Sequence, residues 1–220
     1  FTFVFSEIFE ARWTEGQRSQ TRLDFALVLF VGLIIVTFFN EVVNRAPTLI
    51  IANANYVTKV VFPLETLPLI AAGTAMFHAA VSLAALLLVT LVVKATFHPT
   101  MLLLPLVLLP IMLMTVGIAW VLASLGVYLR DVQQTTVVLT TIMMFISPVF
   151  YPLEAVPESY QPILLANPLT FGIEQARELV IWGNLPAWPS LGLYFLTSAG
   201  LAWSGYAWFQ KTRRGFADVL

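Results

Sequence analysis

The stretch SPVFYPLEAVPESYQPILLANPL (residues 147–169) decides how this chain folds, because it interrupts an otherwise apolar sequence with prolines. Five of the thirteen prolines lie in it, directly after a segment long enough to cross a bilayer. A proline lacks a backbone N–H and clashes with a continuing helix, so no single straight helix runs through this stretch. Irregular backbone at membrane depth is tolerated only where it is buried in protein or lines a watery cavity. The stretch therefore predicts a mouth or gate on a membrane protein.

The composition of the whole chain is that of an integral membrane protein. Hydrophobic residues make up 59% of the 220 residues and charged residues only 10%, against roughly half and about a quarter in soluble domains. The apolar residues also come in long blocks, which a soluble core does not require. A net charge of -1 gives no reason to expect nucleic acid. The sequence has no cysteine, which excludes disulfides and thiolate chemistry within it.

Six predicted membrane-spanning helices account for the apolar blocks. We interpret residues 1–9 as the end of a truncated first helix, with an interfacial stub as the alternative. The other five are Leu23 to Phe39, Leu67 to Val93, Met101 to Leu129, Val132 to Tyr151 and Ser190 to Phe209. An even number of spans places both termini on one side, and the basic residues Lys211, Arg213 and Arg214 favour the cytoplasm. The prediction is an all-α membrane protein with a single domain over residues 1–220.

Two predicted loops carry structure of their own. On the cytoplasmic side, residues 48–61 have the apolar and polar spacing of an amphipathic helix on the membrane surface, which Pro63 ends. On the external side, residues 152–189 hold two short helices that leave and return as a re-entrant hairpin. Their predicted positions are around Pro157 to Leu165 and from Pro168 to Trp182, with Asn167-Pro168 as the break between them.

The sequence lacks the motifs that bind ATP or perform catalysis. It has no GxxxxGK[ST] phosphate loop, no HExxH, no GxSxG and no carboxylates at metal-ligand spacing. His78 is the only ionisable residue well inside a predicted span. It is either a proton or ligand site or a neutral imidazole hydrogen-bonded to a neighbouring helix, which we favour. Ion-coupled transporters need several such groups, so the energy for any uphill transport must come from elsewhere.

Several polar and aromatic residues keep two interpretations. Arg130-Asp131 is a helix-end pair or a partner contact. Glu65 forms a structural ion pair, with Lys59 on the same side, or contributes an energy-coupling contact. The aromatic residues near the outer boundary form an interfacial belt or offer flat faces to sugar rings. They are Tyr151, Tyr160, Trp182 and Trp188.

Four segments resemble the membrane subunit (permease) of ABC transporters, in the right order along nearly the whole chain. They are KVVFPLETLPL (59–69), YLRD (128–131), SPVFYPLEAVPE (147–158) and NPL (167–169). The chain is similar to exporters of O-antigen, capsular polysaccharide and teichoic acid. It has Leu64 where those permeases often carry arginine, while Pro63 and Glu65 match. It also begins partway through the first span that those permeases have.

The resemblance implies a multi-pass homodimer in the bacterial inner (cytoplasmic) membrane, surrounded by lipids. It implies a lipid-linked polysaccharide as substrate and two copies of a separate ATPase subunit that binds ATP and Mg. The chain itself would be no enzyme and would hold no cofactor or metal. The implied cytoplasmic coupling and gate residues are Asn53, Asn55, Lys59, Phe62, Pro63, Glu65 and Arg130. The implied external gate and channel residues are Phe150, Tyr151, Pro152, Tyr160, Asn167, Pro168 and Trp182.

Two alternative functions remain open at this point. One is an ABC permease for a drug or a small lipid, which a narrow apolar channel without aromatic lining would favour. The other is a membrane-embedded sugar transferase, which needs converging acids at the membrane surface. Glu154 and Glu158 are the only near pair on the external loop, and they share a helical face if that segment is helical.

Overall fold

The computed structural model describes residues 22–58, 62–94 and 98–220, and all regular elements in these ranges are helical. The predicted all-α class is therefore confirmed. A helix satisfies its own backbone hydrogen bonds, which is what a chain in hydrocarbon requires. The predicted span at residues 1–9 and the coupling residue Lys59 lie outside the described residues.

The described residues form five long helices and four short ones. The long helices are α1 (Arg22–Arg45), α3 (Thr66–Lys94), α4 (Leu104–Tyr128), α5 (Val132–Ile146) and α8 (Trp188–Thr212). The short helices are α2 (Ala54–Thr58), α6 (Gln161–Ala166), α7 (Pro168–Arg177) and α9 (Phe216–Val219). Single 3₁₀ turns occupy Ala46–Thr48, Ile51–Asn53, Pro99–Leu103, Leu153–Ala155 and Arg213–Gly215, and a π-helical turn, Glu178–Trp182, continues α7.

Three helical segments of the described residues are both long and apolar enough to cross a membrane. They are Phe25–Thr48, Thr66–Val92 and Pro99–Tyr128. Helix α5 is a shorter apolar helix, and α8 has 25 residues but includes serine, glycine, tyrosine and lysine that dilute its apolar character. The count of six spans thus stays a prediction. Helix α1 continues from the predicted end at Phe39 to Arg45, which brings Glu41 onto a membrane-length helix.

The predicted external pair of short helices is present, with one shifted boundary. Helix α6 begins at Gln161 rather than near Pro157, because residues 157–160 form a turn. Helix α7 and the π turn together cover Pro168–Trp182 as predicted, and the helix ends at Gly183 with a left-handed φ of 71°. Between Glu154 and Glu158 the chain leaves a 3₁₀ turn and becomes extended at Val156, so these two residues do not share a helical face.

The chain forms two compact units. Among the described residues, one comprises residues 22–36, 80–94, 98–107 and 142–187 and contains the proline-rich stretch; the other comprises residues 37–58, 62–79, 108–141 and 188–220. The second unit has a continuous hydrophobic cluster at its centre, against which Val57, Phe62 and Trp120 pack. The buried members of this cluster are Leu49, Ile50, Leu64, Leu67, Ala71, Ala123, Val127, Phe209 and Phe216.

Candidate gate and coupling sites

Arg177, at the end of α7, organises the proline-rich stretch. Its side chain is fully buried. Nη1 donates to the carbonyl of Pro148 at 2.7 Å and to Oε1 of Glu174 at 2.8 Å. Nη2 donates to the carbonyl of Val149 at 3.0 Å, and Nε donates to the carbonyl of Val28 on α1 at 3.3 Å. One guanidinium thereby joins the broken segment to two helices.

The broken backbone explains why an arginine is needed there. Helix α5 ends at Ile146, so the carbonyls of Pro148 and Val149 are outside any helical ladder. A buried carbonyl without a donor is costly, and the arginine fork supplies donors in a fixed plane. The carboxylate of Glu174 balances the charge that burial would otherwise penalise. Gly32 leaves room for the guanidinium, since a Cβ there would lie 3.0 Å from Nη2.

Asn167 fixes the start of α7 against the end of α5. Its side chain is buried, and Oδ1 accepts a hydrogen bond from the backbone N–H of Leu169 at 3.0 Å, as a helix N-cap does. Its Nδ2 donates to Oγ of Ser147 at 2.9 Å. Pro168 occupies the first helical position, where its missing N–H has no cost. The predicted break at Asn167-Pro168 is thus also a point of attachment.

The predicted external aromatics fall into two groups. Phe150 and Pro152 are buried, and the hydroxyl of Tyr151 donates to the carbonyls at the end of α5, with Phe145 O at 2.9 Å. These three residues pack the segment together. Tyr160 has 59% of its surface exposed and Trp182 is half-buried, so these two rings are accessible on the single chain.

The predicted cytoplasmic helix is shorter than its sequence pattern indicates. Within residues 48–58 it consists of a 3₁₀ turn and the five residues of α2. Leu49 and Ile50 anchor it in the hydrophobic cluster, while Asn55 is exposed. Nδ2 of Asn53 donates to the carbonyl of Leu49 at 2.8 Å, within the same turn. The buried residues Leu49 and Ile50 precede α2, and Val57 is the residue of α2 that packs against the cluster.

The residues around α2 are held by local contacts. The Phe62 ring stacks on Tyr56, with ring centroids 4.8 Å apart. Pro63 is exposed, and its carbonyl accepts from the hydroxyl of Thr66 at 2.7 Å as α3 begins. Arg130 is exposed in the turn between α4 and α5.

Glu65 forms an ion pair within the chain. Its Oε2 lies 2.8 Å from Nη1 of Arg213, and its carbonyl accepts from Nε1 of Trp120 at 3.0 Å. Because both side chains of the ion pair are partly exposed, the pair contributes roughly 0–1 kcal/mol. The structure therefore contains an ion pair at Glu65, and the partner of Glu65 is Arg213.

Sequence reasoning missed two features of these sites. Arg177 is absent from the predicted gate residues, although it follows Ile173 by four residues and precedes Val180 by three, and both are fully buried. That helical spacing was the available signal. His78 was expected to bond a neighbouring helix, and its Nδ1 does lie 3.0 Å from Oε1 of Glu41 on α1. The partner is a carboxylate, which a predicted helix end at Phe39 had left outside the span.

Long apolar helices, a break between α5 and α7 that is held by internal hydrogen bonds, and a short helix beside a hydrophobic cluster define a helical membrane protein. Residues 1–181 match the ABC-2 type transporter family, and the chain belongs to that family. The described residues contain no group of three or more potential metal ligands.

Curated relatives of this chain include O-antigen export permeases and a polysialic acid transport protein. It is 28% identical over 201 residues to the O-antigen export system permease protein RfbA of Myxococcus xanthus, covering 90% of this chain and 76% of that protein. A Klebsiella pneumoniae protein of the same name is 25% identical over 200 residues, with the same coverage of 90% and 76%. The polysialic acid transport protein KpsM of Escherichia coli is 28% identical over 177 residues, covering 79% of this chain and 68% of that protein.

The family assignment confirms the predicted class. The chain is the membrane subunit of an ABC transporter and a transport subunit rather than an enzyme, so ATP hydrolysis belongs to a separate subunit. The transferase alternative is therefore excluded.

Proposed function

We propose that this chain forms the membrane passage of an ATP-driven exporter that moves a lipid-linked polysaccharide across the bacterial inner membrane. The similarity to permeases for two different glycans carries the proposal. O-antigen and polysialic acid permeases align with 90% and 79% of the chain, respectively. A substrate of this kind is large and hydroxyl-rich, so its passage needs polar surface within an apolar helical protein.

The proposed passage lies between two copies of the chain, each with its own ATPase subunit on the cytoplasmic face. ATP and Mg bind to the ATPase, because this sequence contains no phosphate loop. Family membership supports the ATPase partner. The two-copy arrangement belongs to the proposal.

The proposed coupling surface is the region around α2. Its buried face is anchored by Leu49 and Ile50, and α2 itself is linked to Phe62 through the Tyr56 ring. Because α2 is connected to the hydrophobic cluster by these contacts, a displacement of α2 by the ATPase would be transmitted directly to the cluster. The residues assigned to this surface are Asn53, Asn55, Lys59, Phe62, Pro63, Glu65 and Arg130.

The proposed external gate is the segment from the proline-rich stretch to the π turn. Arg177 donates to the carbonyls of Pro148 and Val149, and Asn167 donates to Ser147, so both residues join the later part of the segment to its start just after α5. In this proposal the segment therefore moves as a unit. Tyr160 and Trp182 are the rings placed to contact a glycan at this gate. Four other residues of the proposed gate set the shape of the segment by packing inside it. They are Phe150, Tyr151, Pro152 and Pro168.

Deletion of the gene that encodes this chain, in the bacterium that carries it, tests the proposal. We expect the deletion strain to lose surface polysaccharide and to accumulate lipid-linked polysaccharide inside, and we expect the wild-type chain to restore export. Surface polysaccharide is measured by immunoblot and the internal pool by lipid extraction. A strain that cannot synthesise the glycan is the control, since it loses both pools.

Unchanged surface polysaccharide in the deletion strain would contradict the proposal. If that strain instead became sensitive to a drug or changed its small-lipid efflux, the small-substrate permease would take its place.

A further inference from the structure

Glu41 and His78 form a carboxylate–imidazole pair between α1 and α3. Nδ1 of His78 lies 3.0 Å and 3.2 Å from the two carboxylate oxygens of Glu41. The pair is not enclosed, because the His78 side chain is 58% exposed and the Glu41 side chain 30% exposed on the single chain. It therefore faces outward from the helices that carry it.

This pair lies at membrane depth. His78 is the thirteenth of the 29 residues of α3, a helix about 43 Å long at 1.5 Å per residue. Glu41 lies within the membrane-length segment Phe25–Thr48. Ionisable groups inside a membrane almost always face a bundle interior or a water-filled cavity, because lipid cannot solvate them. An outward-facing pair at this depth thus requires water or protein in front of it.

The surroundings of the pair have the chemistry that a sugar unit requires. A carboxylate accepts hydrogen bonds and an imidazole can donate or accept, which matches hydroxyl groups that do both. The Phe77 ring is 67% exposed and meets the His78 ring edge-on, with centroids 6.3 Å apart, so an apolar face adjoins the polar pair. Oδ1 of Asn40, beside Glu41, is buried without a hydrogen-bond partner among the described residues.

We propose that Glu41 and His78 face the water-filled passage and hydrogen-bond hydroxyl groups of the glycan that moves through it. This inference rests on the proposed function, since it supplies the passage with a polar contact site. The carboxylate also holds the imidazole in place through their mutual hydrogen bond, as a paired neighbour does in binding sites.

Cysteine labelling tests the proposal, because the 220-residue sequence has no cysteine of its own. Single variants Glu41→Cys and His78→Cys are made in the assembled transporter and exposed to a membrane-impermeant charged thiol reagent. A third variant, Thr74→Cys, lies one turn before His78 and leaves the pair intact, which covers the case where removing the pair impairs folding. The control is Gly73→Cys, about 140° around α3 from His78, where an added Cβ meets nothing within 4 Å.

We expect residues 41, 74 and 78 to react severalfold faster than residue 73. We also expect slower reaction in cells that synthesise the glycan than in cells blocked in its synthesis. Equally slow reaction with the reagent at all four positions would overturn the proposal. It would also be overturned if the introduced cysteines of two copies rapidly formed a disulfide with each other and did not react with the reagent. A labelling rate that is the same with and without glycan synthesis would contradict the proposed hydrogen bonds to the glycan.

These outcomes are separate from those of the deletion experiment. If the wild-type chain restores surface polysaccharide while residues 41, 74 and 78 stay unlabelled, only the site assignment fails. If labelling succeeds in a chain that does not support export, the proposed function fails.

Discussion

At the scale of single residues, Arg177 has the largest structural role that we identify. It donates to the carbonyls of Pro148 and Val149, which lie outside any helix, and also to the carbonyl of Val28 on α1, which is 149 residues away in sequence. Removing one partner of a buried charge network leaves the other groups unsatisfied, which costs more than the network itself contributes. The segment proposed as the external gate therefore depends on this side chain for its shape.

Arg177→Met is expected to destabilise the protein by roughly 3–5 kcal/mol, because methionine fills the volume but donates no hydrogen bond. Arg177→Lys should retain the charge, lose the planar fork and give an intermediate loss. Thermal unfolding in detergent measures both. Arg214→Met is the matched control, since Arg214 is exposed. Equal melting temperatures for Arg177→Met and the control would remove Arg177 from this role.

At the scale of helices, α4 and α8 cross in direct backbone contact. A Cβ on Gly117 would lie 2.8 Å from the Cα of Ala202, and a Cβ on Gly205 would collide with the carbonyl of Gly117. Small residues at such crossings let two helices approach closely, which is how membrane helices gain packing energy without a hydrophobic driving force. This contact holds α8 in place although its sequence is less apolar than those of α1, α3 and α4.

Gly205→Ala should lower the free energy of unfolding by about 1–3 kcal/mol, because the added methyl group meets backbone that cannot move aside. Gly200→Ala, on the same helix, should change stability by no more than about 1 kcal/mol and toward greater stability, since alanine favours helix. The space around Gly200 is open, with nothing within 4 Å of an added Cβ. Unfolding in detergent compares the two variants, and equal effects would contradict close packing at Gly205.

At the scale of the whole molecule, the chain separates transport from energy supply. In the proposed assembly its helices provide the membrane path and α2 provides the surface for the ATPase, while its sequence contains no phosphate loop. This division is what family membership implies.

The purified chain alone is expected to hydrolyse no ATP, because it lacks the phosphate loop that holds the nucleotide. Phosphate release measures this, and adding the partner ATPase should restore activity. A partner altered in its own phosphate loop is the control for contaminating enzymes. Sustained hydrolysis by the chain without any partner would refute the two-subunit arrangement.

Much of the fold could be read from local sequence. The apolar blocks predict helices, and Asn167-Pro168 predicts the start of α7. The predicted span Val132 to Tyr151 runs past the end of α5 at Ile146, because Pro148 cannot continue the helix. Each is a short-range effect of backbone chemistry. The predicted helix boundaries were wrong where the local sequence signal was weak. Helix α1 extends past the predicted end at Phe39, since Asn40 and Glu41 continue the helix and Val42 is buried.

The sequence by itself determined the helical membrane class, the position of the break and the lack of a nucleotide site. Only the tertiary structure decided that Arg177 is buried, that Glu65 pairs with Arg213, and that Glu41 meets His78. The reason is physical. Helix formation and its interruption depend on neighbours within about four residues, whereas the partner of a polar side chain depends on which distant helices pack together.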